Sequence, residues 1–164
     1  MDTYQAIISK RDIREFDARP VPEETLRRIL QAGRMAGSAR NHQPCRMVVL
    51  RERDNIDAIA ACGDFTDPLR ASVLVIVVLT RPDAITPEFD RGRTAQNLML
   101  AAWAEGVTSC PTLLSRIDEA RIILGAPPEY DASIAIGFGY PAADAKSAGR
   151  QRKPVDEYVH HETW

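Results

Sequence analysis

The chain has 164 residues, of which 45% are hydrophobic and 27% charged, and its 21 basic and 23 acidic side chains leave a formal net charge of −2. This is the make-up of one globular domain, residues 1–164, long enough to bury a proper core, and it argues against a dedicated nucleic-acid binder, which would be basic. The longest apolar run, residues 73–79, is too short to span a bilayer, so no membrane partner is expected.

The opening Met1-Asp2-Thr3-Tyr4 lacks the charged and apolar parts of a secretory signal. Residues 2–8 predict a short helix with Ala6 and Ile7 inward, running into a basic cluster, Lys10-Arg11-Asp12-Ile13-Arg14. Pro20-Val21-Pro22 breaks the chain, and Pro22 with Glu23 and Glu24 suits the start of a second helix. Leu26, Ile29, Leu30, Gly33 and Ala36 repeat at the spacing of one buried helical face, with Arg27, Arg28, Gln31 and Arg34 on the solvated side. A polar loop, residues 37–46, then leads into a buried strand at 47–50. Residues 54–61 predict a helix stopped at Gly63, and 64–70 a turn-rich loop containing Pro68.

Val73 to Leu79 is the clearest strand, and its unbroken apolar character predicts burial on both faces. Residues 83–88 read as loop and 90–105 as the longest helix, with Ala95, Leu98, Met99, Ala102 and Trp103 in a stripe ending at Gly106. Such small residues suit close packing either in the core or between subunits. Residues 107–110 predict a short strand. Ser115 with Asp118 has the form of a capping box for a helix through Leu124, stopped by Gly125. Residues 133–138 read as the last core strand, followed by a turn-rich segment in which Tyr158-Val159 suggests a final edge strand. Helices and short strands alternating in this way mean a layered α/β or α+β sandwich.

Several chemistries are excluded. No glycine fingerprint follows a strand and opens a helix: Gly137-Phe138-Gly139 leads into Pro141 and a polar tail, so no dinucleotide-binding fold is expected. His42, His160 and His161 have no ligand spacing with Cys45, Cys62 or Cys110, so no metal site is expected. The three widely spaced cysteines read as reduced thiols and suggest a cytoplasmic location, with Cys110 behaving as a small buried hydrophobe. Arg11 and Arg14 fit either a phosphate, whose oxygens match guanidinium forks, or surface ion pairs with Asp12 or Glu15. Ser38, Asn41 and Gln43 fit either the edge of a planar heterocycle or bonds that tie down their own loop.

Four motifs in order carry a resemblance. Lys10-Arg11-Asp12-Ile13-Arg14-Glu15-Phe16, the Gly37-Ser38-Ala39-Arg40-Asn41-His42-Gln43-Pro44 loop, Gly139-Tyr140-Pro141 and Arg150-Gln151-Arg152 together resemble the FMN-dependent nitroreductase family over nearly the whole chain. Asp12 stands where that family usually has Ser, and Gly37 where it usually has Pro. The resemblance implies an α+β, three-layer α/β/α sandwich with a mixed, mostly antiparallel sheet. It implies a homodimer with FMN at the interface, contacted by Lys10, Arg11, Asp12, Arg14, Ser38, Asn41, Gln43, Pro111, Thr112, Leu113, Arg150 and Arg152. It further implies an oxidoreductase that passes hydride from NADH or NADPH through the flavin to an electron-poor nitroaromatic, quinone or enone. That exchange would be ping-pong, with no catalytic side chain. The alternative is a dimeric flavin- or nucleotide-binding module without turnover.

Overall fold

The computed structural model describes every residue except Ala148 and Arg150. Its centre is β2, Leu74–Thr80, in which every residue is buried. Antiparallel to one edge of β2 runs β1, Cys45–Leu50, in the register Cys45 opposite Thr80 to Leu50 opposite Val75. Along the other edge lies β4, Asp131–Gly139, which in turn pairs with β3, Thr108–Leu113, so the strand order is β1-β2-β4-β3. All these ladders are antiparallel. The parallel contribution to the sheet is an isolated bridge from Asp12 to Ser109 at the start of β3.

Side chains alternate across β2 and divide the core in two. Leu74, Ile76 and Val78 face α2, Glu23–Arg34, and α5, Pro87–Ala104, meeting Leu26, Ile29, Leu98 and Ala102. Val75, Val77 and Leu79 face α3, Arg53–Ala60, α4, Asp67–Ala71, and α6, Ile117–Ile123. The result is a three-layer α+β sandwich: the helix and strand pattern left α/β and α+β open, and the family resemblance implied this one. The remaining helix, α1, Thr3–Ser9, starts at Asp2, whose carboxylate accepts from the Gln5 N–H at 2.8 Å. Ala6 is buried, but Ile7, expected to point inward, is exposed because α1 packs along one side only.

Three other local expectations are corrected. Residues 64–70 are not all loop: α4 forms there, with Pro68 in its first turn, where the missing N–H costs nothing. The Ser115–Asp118 capping box does not form. Ser115 Oγ instead donates to Asp64 Oδ2 at 3.1 Å, and α6 begins after Arg116 without a side-chain cap. Tyr158-Val159 is not a strand; a 3₁₀ turn, Val155–Glu157, occupies this region. Gly106 and Gly125, expected as helix stops, do lie past the ends of α5 and α6 with φ of 77° and 62°.

Gly137 is explained by close approach. A Cβ at that position of β4 would lie 2.9 Å from the Pro68 carbonyl oxygen of α4. Gly137→Ala should therefore destabilise the fold by roughly 1–3 kcal/mol, the range for overpacking. Gly92, inside α5 with nothing within 4 Å of its notional Cβ, should show the opposite sign. Gly92→Ala is expected to stabilise by about 0.5–1 kcal/mol through helix propensity. Urea denaturation of both variants checks the pair, and equal shifts would contradict the packing account.

Candidate functional site

The basic cluster is placed by the end of α1. Arg11 Nη1 donates to the carbonyls of Ile8 and Lys10, both at 2.9 Å, and so satisfies backbone acceptors that the helix end leaves open. The chain then turns along the outer edge of β3, where the N–H of buried Ile13 donates to the Ser109 carbonyl at 3.1 Å. Lys10 Nζ is ion-paired with Asp12 Oδ1 and lies 3.4 Å from Met99 Sδ of α5. The Asp12 charge is thus matched within its own cluster, while Arg14 is exposed. Burial pushes the Cys110 thiol up; Asp12 adds to that rise, and Arg14 and Lys10 oppose it. All three charges therefore act on the same short stretch of β3.

Further along that strand, Pro111 is half-buried, Thr112 Oγ1 donates to the Ala135 carbonyl at 3.3 Å, and Leu113 is 73% exposed. Arg152 lies in the exposed C-terminal tail, and Arg150 lies outside the described residues. Val155, Tyr158, Val159 and Trp164 in that tail are also exposed, Trp164 completely.

The second polar cluster leads into β1. Ala39–Asn41 forms a 3₁₀ turn, and Arg40, Asn41 and Gln43 have φ of 47°, 57° and 49°. Left-handed backbone at non-glycine residues costs energy and persists only where the surroundings hold it. Ser38 Oγ accepts from the Gln43 N–H at 2.8 Å, and Arg46 Nη1 donates to the Gln43 and Cys45 carbonyls, each at 2.8 Å. Gln43 Nε2 reaches the Asn41 carbonyl at 3.4 Å. A Cβ at Gly37 would sit 2.4 Å from Arg93 Nη2, so the glycine makes room for an α5 guanidinium beneath the loop.

The structure brings Lys10, Asp12 and Arg14 together with the β3 stretch, and groups Ser38, Asn41 and Gln43 separately. Asp12 adjoins Ser109, on the β3 edge at the end of the sheet where Leu74 begins β2. Gln43 precedes Cys45, on the β1 edge opposite Thr80 at the other end of β2. Ordinary strand spacing and rise put the two groups roughly 25–30 Å apart, on a diagonal of the sheet.

Three residues that sequence reasoning did not single out shape this region: Arg46, Arg93 and Asp90. Asp90 is buried in the first turn of α5 with no hydrogen-bond partner for either carboxylate oxygen among the described residues. It is in phase with the buried stripe of Thr94, Leu98 and Ala102, and a charge at that spacing was the available signal. No group of His, Cys, Asp and Glu among the described residues could hold a metal ion, and none of the helices is long and apolar enough to cross a membrane.

Comparison with known proteins agrees with the geometry. The chain is 29% identical to the NADH dehydrogenase of Thermus thermophilus, over 97% of its own length and 95% of the relative's. A Desulfovibrio desulfuricans protein solved in complex with FMN shares 30% identity and superposes with a TM-score of 0.82, covering 100% of this chain and 99% of that one. The FMN-dependent nitroreductase of Clostridium difficile R20291, at 20% identity, shares the fold with a TM-score of 0.85 over 99% of this chain and 100% of its own. The model of the nitroreductase family matches residues 7–74 and 66–140, most of the chain, and the protein therefore belongs to the nitroreductase family.

Proposed function

We propose that this chain is an FMN oxidoreductase that takes hydride from NADH or NADPH and passes it to an electron-poor acceptor of the nitroaromatic, quinone or enone type. The observation that carries the reading is the meeting of Lys10, Asp12 and Arg14 with Ser109 and Cys110 at the start of β3. The donor set suits the group. Arginine forks match a phosphate monoester, and the pairing of Asp12 with Lys10 offsets the negative charge that Asp12 places in the cluster. FMN rather than FAD is favoured because no fold for an adenosine half is present among the described elements. The Desulfovibrio relative bound to FMN and the Thermus relative named as an NADH dehydrogenase support the same assignment.

When bound, the isoalloxazine ring supplies the hydride chemistry. The residues of this chain bind and orient it: Arg11, Arg14, Arg150 and Arg152 at the phosphate, Lys10 as a fixed positive charge toward the ring or phosphate, and Pro111, Thr112 and Leu113 along its side. Ser38, Asn41 and Gln43 offer amide and hydroxyl groups to a ring edge. NAD(P)H and the acceptor use one opening in turn, and no side chain is assigned as acid or base. Asp12 is the one acidic member of the set, and its place there is to hold Lys10.

The diagonal separation of the two half-sites supports a homodimer, in which the loop of one copy lies beside the flavin held by the other. The exposed Val155, Tyr158, Val159 and Trp164 would be buried against that second copy. The free cysteines fit a reducing, cytoplasmic setting.

Arg14→Ala and Arg152→Ala should each weaken FMN binding roughly ten- to a hundredfold, the value of one charge-assisted hydrogen bond. Titration of FMN into cofactor-free protein, followed by flavin fluorescence, measures this; unchanged affinity in both variants would remove the phosphate assignment. Dimer and cofactor site should also be linked by mass action. Dilution should release FMN in parallel with dissociation, and truncation after Arg152 should weaken both together. Sedimentation showing a monomer with tightly held FMN would overturn the shared site.

A further inference from the structure

Phe65 is 89% exposed, more than any other large apolar side chain among the described residues outside the C-terminal tail. It stands in the turn between α3 and α4, whose backbone is fixed on both sides of it. Arg116 Nε donates to the Ala61 carbonyl at 3.0 Å, Nη2 to the Gly63 carbonyl at 3.2 Å and Nη1 to Asp64 Oδ1 at 3.1 Å. On the other side of Phe65, the buried Thr66 donates through Oγ1 to the Ala60 carbonyl at 2.6 Å. A phenyl ring is thus held out in water by a turn that is tied down at every neighbouring residue. That arrangement leaves apolar surface uncovered at a cost.

The same turn lies against the end of β3. A Cβ at Gly63, two residues before Phe65, would sit 2.8 Å from the Leu113 carbonyl oxygen and 3.5 Å from Leu114 Cδ2. Leu113 is itself 73% exposed. The Leu114 N–H donates to the Ser133 carbonyl of β4 at 2.9 Å, so the backbone of Leu113 faces the opposite, outer side of β3. That outer side is where Asp12 bridges Ser109, with Lys10 and Arg14 beside Cys110. From Cys110 to Leu113 is roughly 10 Å of strand, comparable with the five-carbon chain that joins the phosphate of FMN to its ring. A flavin anchored by its phosphate at the basic cluster and lying along this edge brings its ring to Leu113 and the Phe65 turn. Two side chains are too little surface for a protein interface, which takes about 800 Å² a side, but they match one face of a small planar molecule.

We propose that Phe65 selects the electron acceptor: its ring packs against an aromatic acceptor lying over the flavin, with Leu113 beside it. Among the acceptor types named above, those built on a planar aromatic ring are then favoured over open-chain or saturated ones. The inference rests on the flavin reading of the preceding subsection. Contact between two aromatic rings adds to what apolar burial alone supplies. Because Arg116 and Thr66 already fix the turn, little backbone freedom is lost when the acceptor arrives. Phe65 has no part in holding the cofactor, whose phosphate lies at the other end of β3.

Titration with FMN comes first, and Phe65→Ala should bind it as the unaltered protein does. If neither protein binds FMN, the flavin reading fails and takes this inference with it; if Phe65→Ala alone loses FMN, Phe65 is a cofactor contact and only the inference falls. The oxidised, FMN-loaded proteins are then titrated by calorimetry with 2-naphthol and with 2-decalol, the saturated alcohol of the same skeleton. The unaltered protein should prefer naphthol by about three- to tenfold, Phe65→Ala should lose that preference, and Phe65→Tyr should keep it. In turnover, kcat/KM for 2-methyl-1,4-naphthoquinone should fall in Phe65→Ala by the same factor relative to kcat/KM for ferricyanide, which does not stack. The quinone takes a hydride from the reduced flavin and a proton from water to give the hydroquinone, whereas two ferricyanide ions take one electron each. With FMN held normally, equal binding of naphthol and decalol, a preference that survives Phe65→Ala, or an unchanged quinone-to-ferricyanide ratio would each overturn the assignment. A changed sedimentation coefficient in Phe65→Ala would do so too, because the ring would then be a contact between copies of the chain.

Discussion

Because β2 is buried along its whole length, both its edges must be hydrogen-bonded and both its faces covered. The first demand is met by β1 and β4, whose antiparallel ladders use the backbone groups of Leu74–Thr80 on either side. The second is met by α2 and α5 on one face and by α3, α4 and α6 on the other. A single amphipathic helix layer would leave one row of Val and Leu side chains in water. The three-layer arrangement thus follows from one seven-residue apolar strand, and the elements that carry the candidate chemistry are displaced to the rims.

What lies at those rims is set by the order β1-β2-β4-β3. The β3 edge is partly covered by the segment that follows α1, through the Asp12–Ser109 bridge and the Ile13 N–H. That short attachment is what brings Lys10, Asp12 and Arg14 to Cys110. At the other rim, the left-handed Arg40, Asn41 and Gln43 are held by Ser38 Oγ and Arg46, both bonding to Gln43. Strain of this kind is confined where a polar loop meets a rigid strand.

One helix reaches both rims. At one, Met99 of α5 touches Lys10 and Trp103 Nε1 donates to Ser9 Oγ at 2.9 Å. At the other, Arg93 sits against Gly37, Asn97 donates to the Ala32 carbonyl at 3.1 Å, and Asp90 is buried. The stripe of Ala95, Leu98, Met99 and Ala102 that packs α5 into the core therefore also sets the distance between the two polar groups. Gly37, which stands where the family usually has proline, lies against the guanidinium end of Arg93 on this helix, a flexible group that could move aside for a larger residue.

The amino-acid sequence by itself determined the elements whose signal is local. Val73 to Leu79 could only be a strand covered on both faces, the 3.6-residue spacing of Leu26, Ile29 and Gly33 could only be a helix with one buried side, and Gly106 and Gly125 marked helix ends. Motif order likewise made the family legible, because its motifs recur in sequence order along the chain. Tertiary structure alone decided what depends on partners distant in the chain. Ser115 bonds to Asp64 and not at its own helix start, and the helix that Pro68 opens lies with the Pro68 carbonyl close against Gly137. Tyr158-Val159 had no strand to join within the described chain. Asp90 was carried into the interior without a hydrogen-bond partner among the described residues, because the helix is held against the core by residues far away in the chain. Local patterns specify torsions and faces; only the closed sandwich specifies which polar groups meet.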